Sequence, residues 1–392
     1  MTAAELRASL GLAGIFGLRM LGMFIILPVF SLYAEHLPGG SDHALIGIAL
    51  GAYGLTQALL QVPFGWLSDR WGRKRTIYLG LLVFAAGSFL AATAQDIHMV
   101  ILGRIIQGAG AISAAVIALT ADLTRDQQRT KAMAIIGSTI GGVFAVSFVA
   151  APFLKETIGV PGIFAMTGLL ALGAIGVVRW IVPDAPASRR APDAKALWAL
   201  VRDPELVRLN VGIFVLHAVL MALFVVVPVA LVRAGLPSGE HWWLYLVAVG
   251  AGFVLMLPAV IGPVSKHERP VFLAAIGIVA LAIAALAAEL GSVAGIATGL
   301  VIFFAGFNVL EAKLPALVSR AAPREATGSA TGVYSSVQFL GTFFGAAAGG
   351  AIAQHAGFMA VLAACLAATL AWLAVAWSMG DFVPAAAPAS RT

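Results

Sequence analysis

The chain has 392 residues, of which 61% are hydrophobic and only 11% charged, with a formal net charge of +6. That balance is far outside the mixture a soluble globular domain uses, and an enzyme is the least expected class, since no Ser/His/Asp, metal or phosphate-loop constellation appears. Apolar runs repeatedly reach the roughly 20 residues that a helix needs to cross a bilayer, without the alternation of a β-barrel.

The predicted fold is an all-α integral membrane protein of twelve transmembrane helices in two pseudo-symmetric six-helix bundles. The spans fall near 10–35, 43–67, 76–94, 98–121, 131–154, 161–182, 207–233, 241–264, 270–288, 293–317, 327–352 and 356–380. Residues 1–20 lack a charged region leading to a small-residue cleavage site, so the first run is expected to stay as a helix. The first bundle covers 1–182 and the second 207–392. Between them, 183–206 reads as a linker containing Pro183, Pro186, Pro192 and Pro204 with Arg189 and Arg190. Within it, 194–201 is a short amphipathic helix with Trp198 as interfacial anchor. Pro28-Val29 followed by Leu37-Pro38 recurs as Pro228-Val229 followed by Leu236-Pro237, which supports a duplicated architecture.

With the N-terminus cytoplasmic, 19 of the 24 Lys and Arg residues fall inside, among them Arg70, Arg73, Lys74, Arg75, Arg125, Arg129, Lys131, Lys195, Lys266, Arg269, Arg320 and Arg324. Lys155 and Arg233 fall outside, and Arg19, Arg104 and Lys313 lie within spans. This bias places both termini in the cytoplasm and accounts for the basic charge without nucleic acid. Cys365 stands alone, so it reads as packing or lipid-facing rather than as a disulfide or metal ligand.

In the first span, Arg19 precedes Met20-Leu21-Gly22-Met23-Phe24 and Pro28. It can line a site or snorkel to the interface. The loop after the second span reads Gly65-Trp66-Leu67-Ser68-Asp69-Arg70-Trp71-Gly72-Arg73-Lys74-Arg75. Asp69 and Asp122 each end a helix, where the macrodipole disfavours an anion, so each calls for a cationic partner, and Arg73 is the candidate. In the fourth span, Arg104, Gln107, Gly108 and Ala111 share a face. An arginine there is costly unless paired or hydrated, so a functional role stands beside a structural bond to carbonyls. His217 in the seventh span can exchange a proton or simply hydrogen-bond. In the tenth, Asn308, Glu311 and Pro315 share a face, and Glu311 is the carboxylate deepest in a span, which suits a proton carrier. Lys313, on another face, reads as a snorkelling cation. Glu35, Asp96 and Glu289 read as solvated helix ends. The glycines from Gly328 to Gly350 give the eleventh span close-packing faces.

The loop closely resembles the signature of the major facilitator superfamily, and the helix-4 and helix-1 motifs resemble those of its drug:proton antiporter branch. Gly332-Val333-Tyr334-Ser335 and Gln338-Phe339-Leu340-Gly341 are most similar to the YajR-like group. Some members of that group carry a further C-terminal domain, which this chain is expected to lack. The second proline after Pro28 is missing, and Gly141-Gly142 precedes Ala151-Pro152, against that branch's order in helix 5. The resemblance implies a gate in which Gly65, Asp69, Arg70, Gly72, Arg73 and Asp122 act with the start of helix 11 near Thr327. It also implies proton coupling through Arg104.

Taken together, these residues read as a secondary transporter working by alternating access, with proton-coupled efflux of small apolar or amphipathic compounds as the first function. A proton-coupled importer or facilitator of a nutrient and a non-transporting sensor or scaffold are the alternatives. Proton coupling is assigned to Arg104, Glu311 and His217. Substrate contacts are assigned to Arg19, Phe24, Gln57, Gln61, Gln107, Asn308 and Gln338. The expected partners are a small-molecule substrate, protons and membrane lipids, with no cofactor, metal or nucleic acid. The chain is expected to be a monomer in the cell inner membrane.

Overall fold

The computed structural model describes residues 1–184, 194–260, 267–323 and 326–380. Pro186, Arg189, Arg190, Pro192, Lys266 and Arg324 lie outside the described residues, as do the side chains of Arg129 and Lys195. The described residues form α1 (Ala3–Phe24), α2 (Leu27–Ala34), α3 (His43–Trp71), α4 (Arg73–Ala92), α5 (Ile97–Ala109), α6 (Ser113–Asp122), α7 (Asp126–Trp180), α8 (Ala194–Arg202), α9 (Pro204–Arg233), α10 (His241–Val260), α11 (Glu268–Ala288), α12 (Val293–Ala321) and α13 (Thr327–Trp377). Side chains fix several starts. Thr2 and Glu5 form a capping box on α1, and Asp42, Asp96, Asp203 and Ser292 accept from the first-turn amides of α3, α5, α9 and α12. Asp96 is thus a helix cap, more than the solvated end the sequence suggested.

Ten segments of these helices are long and apolar enough to cross a membrane. Two are double length, 50 and 51 residues, far longer than one crossing. Each is broken by a glycine in a positive-φ conformation that L side chains rarely adopt, Gly159 (φ 68°) and Gly357 (φ 79°). Counting each of these two twice gives twelve crossings among the described residues. Two other crossings are bent. Pro28 has no N–H to donate and its ring crowds the carbonyl four residues earlier, so α1 gives way to α2 at Ile25 and Ile26. Residues 110–112, which contain no proline, separate α5 from α6, with the backbone leaving the helix at Gly110.

Large apolar side chains such as Leu59, Phe153, Leu169, Val254 and Leu281 lie on the outside, where a lipid surface accepts them. Exposed Trp66, Trp71, Trp180, Trp198 and Trp377 mark helix ends on one side, and Trp242 and Trp243 mark the start of α10 on the other. Such rings at both interfaces are what a membrane selects. The first side also gathers the ionic ties: Glu5 with Arg125 (2.8 Å), Lys74 with Asp184 (2.8 Å) and Glu268 with Arg320 (2.8 Å). The hydrogen bond and charge of Lys74 hold the Asp184 carboxyl below its ordinary pKa. We call this side the basic end.

α1 packs on α7, α4 on α5 and α7, α12 on α10 and α11, and α13 on α9. The largest contact between the helices before residue 184 and those after residue 194 is α3 on α13. It is closest away from the basic end. A Cβ at Gly47 would stand 2.1 Å from the Ala346 carbonyl oxygen, and one at Gly54 would stand 2.0 Å from Thr342 Oγ1. His43 at the start of α3 donates its amide to Gln354 Oε1 at 2.8 Å. Toward the basic end, space opens around Gly328 and Gly332 of α13, where a Cβ would meet no atom within 4 Å. The two helices therefore meet tightly at one end and part at the other.

Candidate functional site

At the basic end, Gly72 (φ 106°) ends α3 and starts α4, turning the chain so that Arg73 points back at Asp69. The Arg73 guanidinium donates to Asp69 Oδ1, to Ser68 Oγ (3.0 Å) and to Asp122 Oδ2 (3.0 Å). It therefore neutralises the carboxylates ending both α3 and α6 at once, and both are only slightly exposed. Arg70 is not part of this cluster. It lies exposed, its guanidinium 4.2 Å from the Trp66 ring centroid, because its side chain leaves α3 on the outer face. Gly65 approaches only Ala114. A second tie, unnoticed in the sequence, joins Glu5 to Arg125 through three hydrogen bonds, two from the guanidinium and one from the backbone amide. Its one local sign was the Thr2-x-x-Glu5 capping pattern.

Inside the membrane, α1, α3, α4 and α5 build a polar cluster around two cations. Arg19 is 1% exposed, so it does not snorkel; its Nε donates to the Gly110 carbonyl (3.1 Å) and its Nη1 to Ser113 Oγ, at the break between α5 and α6. Arg104 is fully buried, donating to the Gly22 carbonyl (3.1 Å) and Gln107 Oε1 (2.6 Å), with the Tyr53 ring 4.9 Å from its guanidinium. Gln107 in turn donates to Ser88 (2.8 Å), and Gln57 to Gln61 (3.0 Å). These four expected substrate contacts, Arg19, Gln57, Gln61 and Gln107, are sealed from solvent in this conformation, each held by bonds inside the protein rather than facing an open cavity.

The second polar cluster lies on α9, α12 and α13. His217 Nε2 is 3.2 Å from Glu311 Oε1 and 2.8 Å from Gln338 Nε2. An imidazole nitrogen is either a donor or an acceptor at a given moment, so it serves the carboxylate or the amide donor but not both. Whether Nε2 carries a hydrogen therefore decides which partner it serves. His217 is buried, while the Glu311 side chain keeps 25% of its surface. Asn308, one turn away, is 6% exposed with Nδ2 unpartnered, and the buried Tyr334 on α13 also has an unpartnered hydroxyl. Lys313 faces a separate cleft with Glu268 and Arg320. Arg104, grouped with Glu311 and His217 from the sequence, is not beside them: it belongs to the α1–α5 cluster because its bonds go to Gly22 and Gln107.

An aromatic layer joins the two clusters. Phe24 meets Phe144 edge-on at 5.0 Å, Phe144 stacks on Phe307 at 5.7 Å, and Phe307 lies 5.9 Å from the His217 ring. Phe148 adds contacts to Phe224, Tyr245 and Phe304. Of this layer the sequence reading picked out only Phe24. The i, i+4 spacing of Phe144 with Phe148, and the closeness of Phe303, Phe304 and Phe307, were the available signals.

The apolar crossings among the described residues, with buried ionisable groups on either side of an aromatic layer, fit a polytopic membrane transporter. The sequence profile of the Major Facilitator Superfamily matches residues 12–346, and the chain belongs to that family. The inner membrane transport protein YajR of Escherichia coli K12 is 44% identical over 328 residues, covering 82% of this chain and 72% of that protein. The quinolone resistance protein NorA of Staphylococcus aureus is 28% identical over 166 residues, 41% of this chain and 40% of that one. Among solved structures, a bacterial homolog to the human lysosomal transporter Spinster, in an inward-facing and occupied conformation, superposes with TM-score 0.76 at 14% identity, covering 96% of this chain and 97% of that one. That likeness is one of fold.

Proposed function

We propose that the chain is a proton-coupled exporter of small apolar or amphipathic compounds in the cell inner membrane, with both termini cytoplasmic and the proton carried by Glu311. The observation that carries this is the Glu311–His217–Gln338 contact: a part-exposed carboxylate within a span beside an imidazole that has a rival partner. A proton arriving on the pair changes which contact His217 makes, and so changes how α9, α12 and α13 hold together. Bundles 1–182 and 207–392, joined by the 183–206 linker, rock about the aromatic layer. The tight α3–α13 seam with open space at the basic end of α13 matches a state open to the cytoplasm, with Arg73, Asp69 and Asp122 as the gate cluster. The name of NorA favours efflux over import.

The test is transport by purified protein in liposomes, using a panel of quinolones and of anionic, neutral and cationic dyes with and without an imposed pH gradient. Uphill movement that needs the gradient, and is lost in Glu311→Gln, is the expected result. Gradient-driven transport retained in that variant contradicts the assignment of Glu311, and movement independent of the gradient contradicts proton coupling.

A further inference from the structure

We infer that the transported compound carries an anionic group, received by Arg19 and Arg104 at the uncapped start of α6; this rests on the transport reading above and names the substrate class. Both guanidiniums are fully sealed from solvent, and among the described residues neither forms an ion pair. Their hydrogen bonds go to carbonyls, Ser113 and Gln107, which satisfy N–H groups without cancelling charge. An unneutralised cation within a span is costly, and such residues mark substrate pathways.

Among the described residues, the buried atoms of this cluster left without partners are three that carry a hydrogen and one acceptor, Gln57 Oε1. Arg19 Nη2, Arg104 Nε and Tyr53 Oη are buried without partners, and the Tyr53 ring lies 4.9 Å from the Arg104 guanidinium. Each of these three atoms carries a hydrogen to give. The first amides of α6, a ten-residue helix, add to them: its N-cap, Ile112, offers no side-chain acceptor, and Arg19 holds Ser113 at that same end. Unpartnered guanidinium N–H groups, a phenol and, beside Arg19, a helix N-terminus complement a carboxylate, sulfonate or phosphate. A cationic group would meet repulsion from both arginines.

The surroundings supply the rest of an amphipathic site. The segment of α1 that gives its Gly22 carbonyl to Arg104 also presents Phe24 to Phe144, so the aromatic layer begins one turn from the donors. The apolar body of such a compound lies on Phe24, Phe144 and Phe307, with the His217–Glu311 pair beyond. Entry requires movement, and the two cation-bearing helices are both broken nearby, α1 at Ile25 and Ile26 and α5 at 110–112. Interrupted helices beside buried charge are where transporter sites form.

The experiment compares benzenesulfonate, benzyl alcohol and benzylammonium at equal ionic strength, by thermal shift of the purified full-length protein. Benzenesulfonate is expected to raise the melting temperature and the other two are not. Arg19→Gln and Arg104→Gln are each expected to weaken sulfonate binding at least about tenfold, Tyr53→Phe several-fold, and Arg19→Lys least of all. Each variant is first checked for a monodisperse elution profile, and Tyr53→Phe, which removes one oxygen, keeps the test open where an arginine variant does not fold. Sulfonate binding is read without a pH gradient, so failure of proton coupling and failure of the anion site read out separately. Equal or stronger stabilisation by the alcohol or the ammonium overturns the inference. So does an absence of sulfonate stabilisation, or sulfonate affinity unchanged in Tyr53→Phe and in the folded arginine variants.

Discussion

The two polar clusters inside the membrane solve the same problem in opposite ways. Around Arg19 and Arg104, charge is fixed: a guanidinium does not give up its proton, and backbone carbonyls at Gly22 and Gly110 hold it in place. Around Glu311 and His217, charge is exchangeable, and the carboxylate keeps a solvent-facing surface. On the proposed function, the first cluster holds a substrate anion and the second exchanges the proton. A transporter that couples a compound to protons needs one of each, and the aromatic layer from Phe24 through Phe144 to Phe307 is the physical link between them.

The contrast can be broken most sharply at Glu311. Glu311→Gln keeps the shape and removes the exchangeable proton, so gradient-driven transport in liposomes is expected to fall by about 100-fold or more, while the melting temperature in detergent hardly moves. Arg104→Leu acts in the other cluster and should do the reverse damage. It leaves the Gly22 carbonyl and Gln107 Oε1 without their donor, a loss of about 1–3 kcal/mol for each group left unsatisfied, read as a lower melting temperature. Arg104→Lys should recover part of it.

Smaller effects probe how the ends are tied. Gly47→Val places a side chain against the Ala346 carbonyl and should spread the α3–α13 seam, at a cost of about 1–3 kcal/mol. Cysteines introduced near His43 and Gln354 should then label faster; unchanged labelling would mean that the seam does not seal that end. Asp122→Asn should cost least, about 0.5–1 kcal/mol, because Arg73 keeps Asp69 and Ser68. Faster labelling of a cysteine placed on the basic half of α13 would show that the cluster also restrains the gate.

The crossings were legible because a bilayer demands long apolar runs, and the predicted boundaries near 43, 241, 293 and 327 coincide with the starts of α3, α10, α12 and α13. Asp69, Arg73 and Asp122 were legible as partners because helix-end electrostatics requires a compensating charge. The bend after Phe24 follows from Pro28, yet the first span reads as one run because a kink leaves hydropathy unchanged. Periodicity places Arg104, Glu311 and His217 on inward faces but is blind to which helix each face meets, so Arg104 was joined to the wrong cluster. Arg19 could equally snorkel or stay inside until the break at 110–112 supplied its carbonyl. The Glu5–Arg125 tie spans 120 residues, a separation that local patterning does not carry.

The most direct test of the account is whether Glu311 takes up a proton. Infrared difference spectra of the membrane-reconstituted protein between neutral and acidic pH should show a protonated-carboxyl band that vanishes in Glu311→Gln and shifts in His217→Gln. A band unchanged in Glu311→Gln would place the proton elsewhere and contradict the central claim.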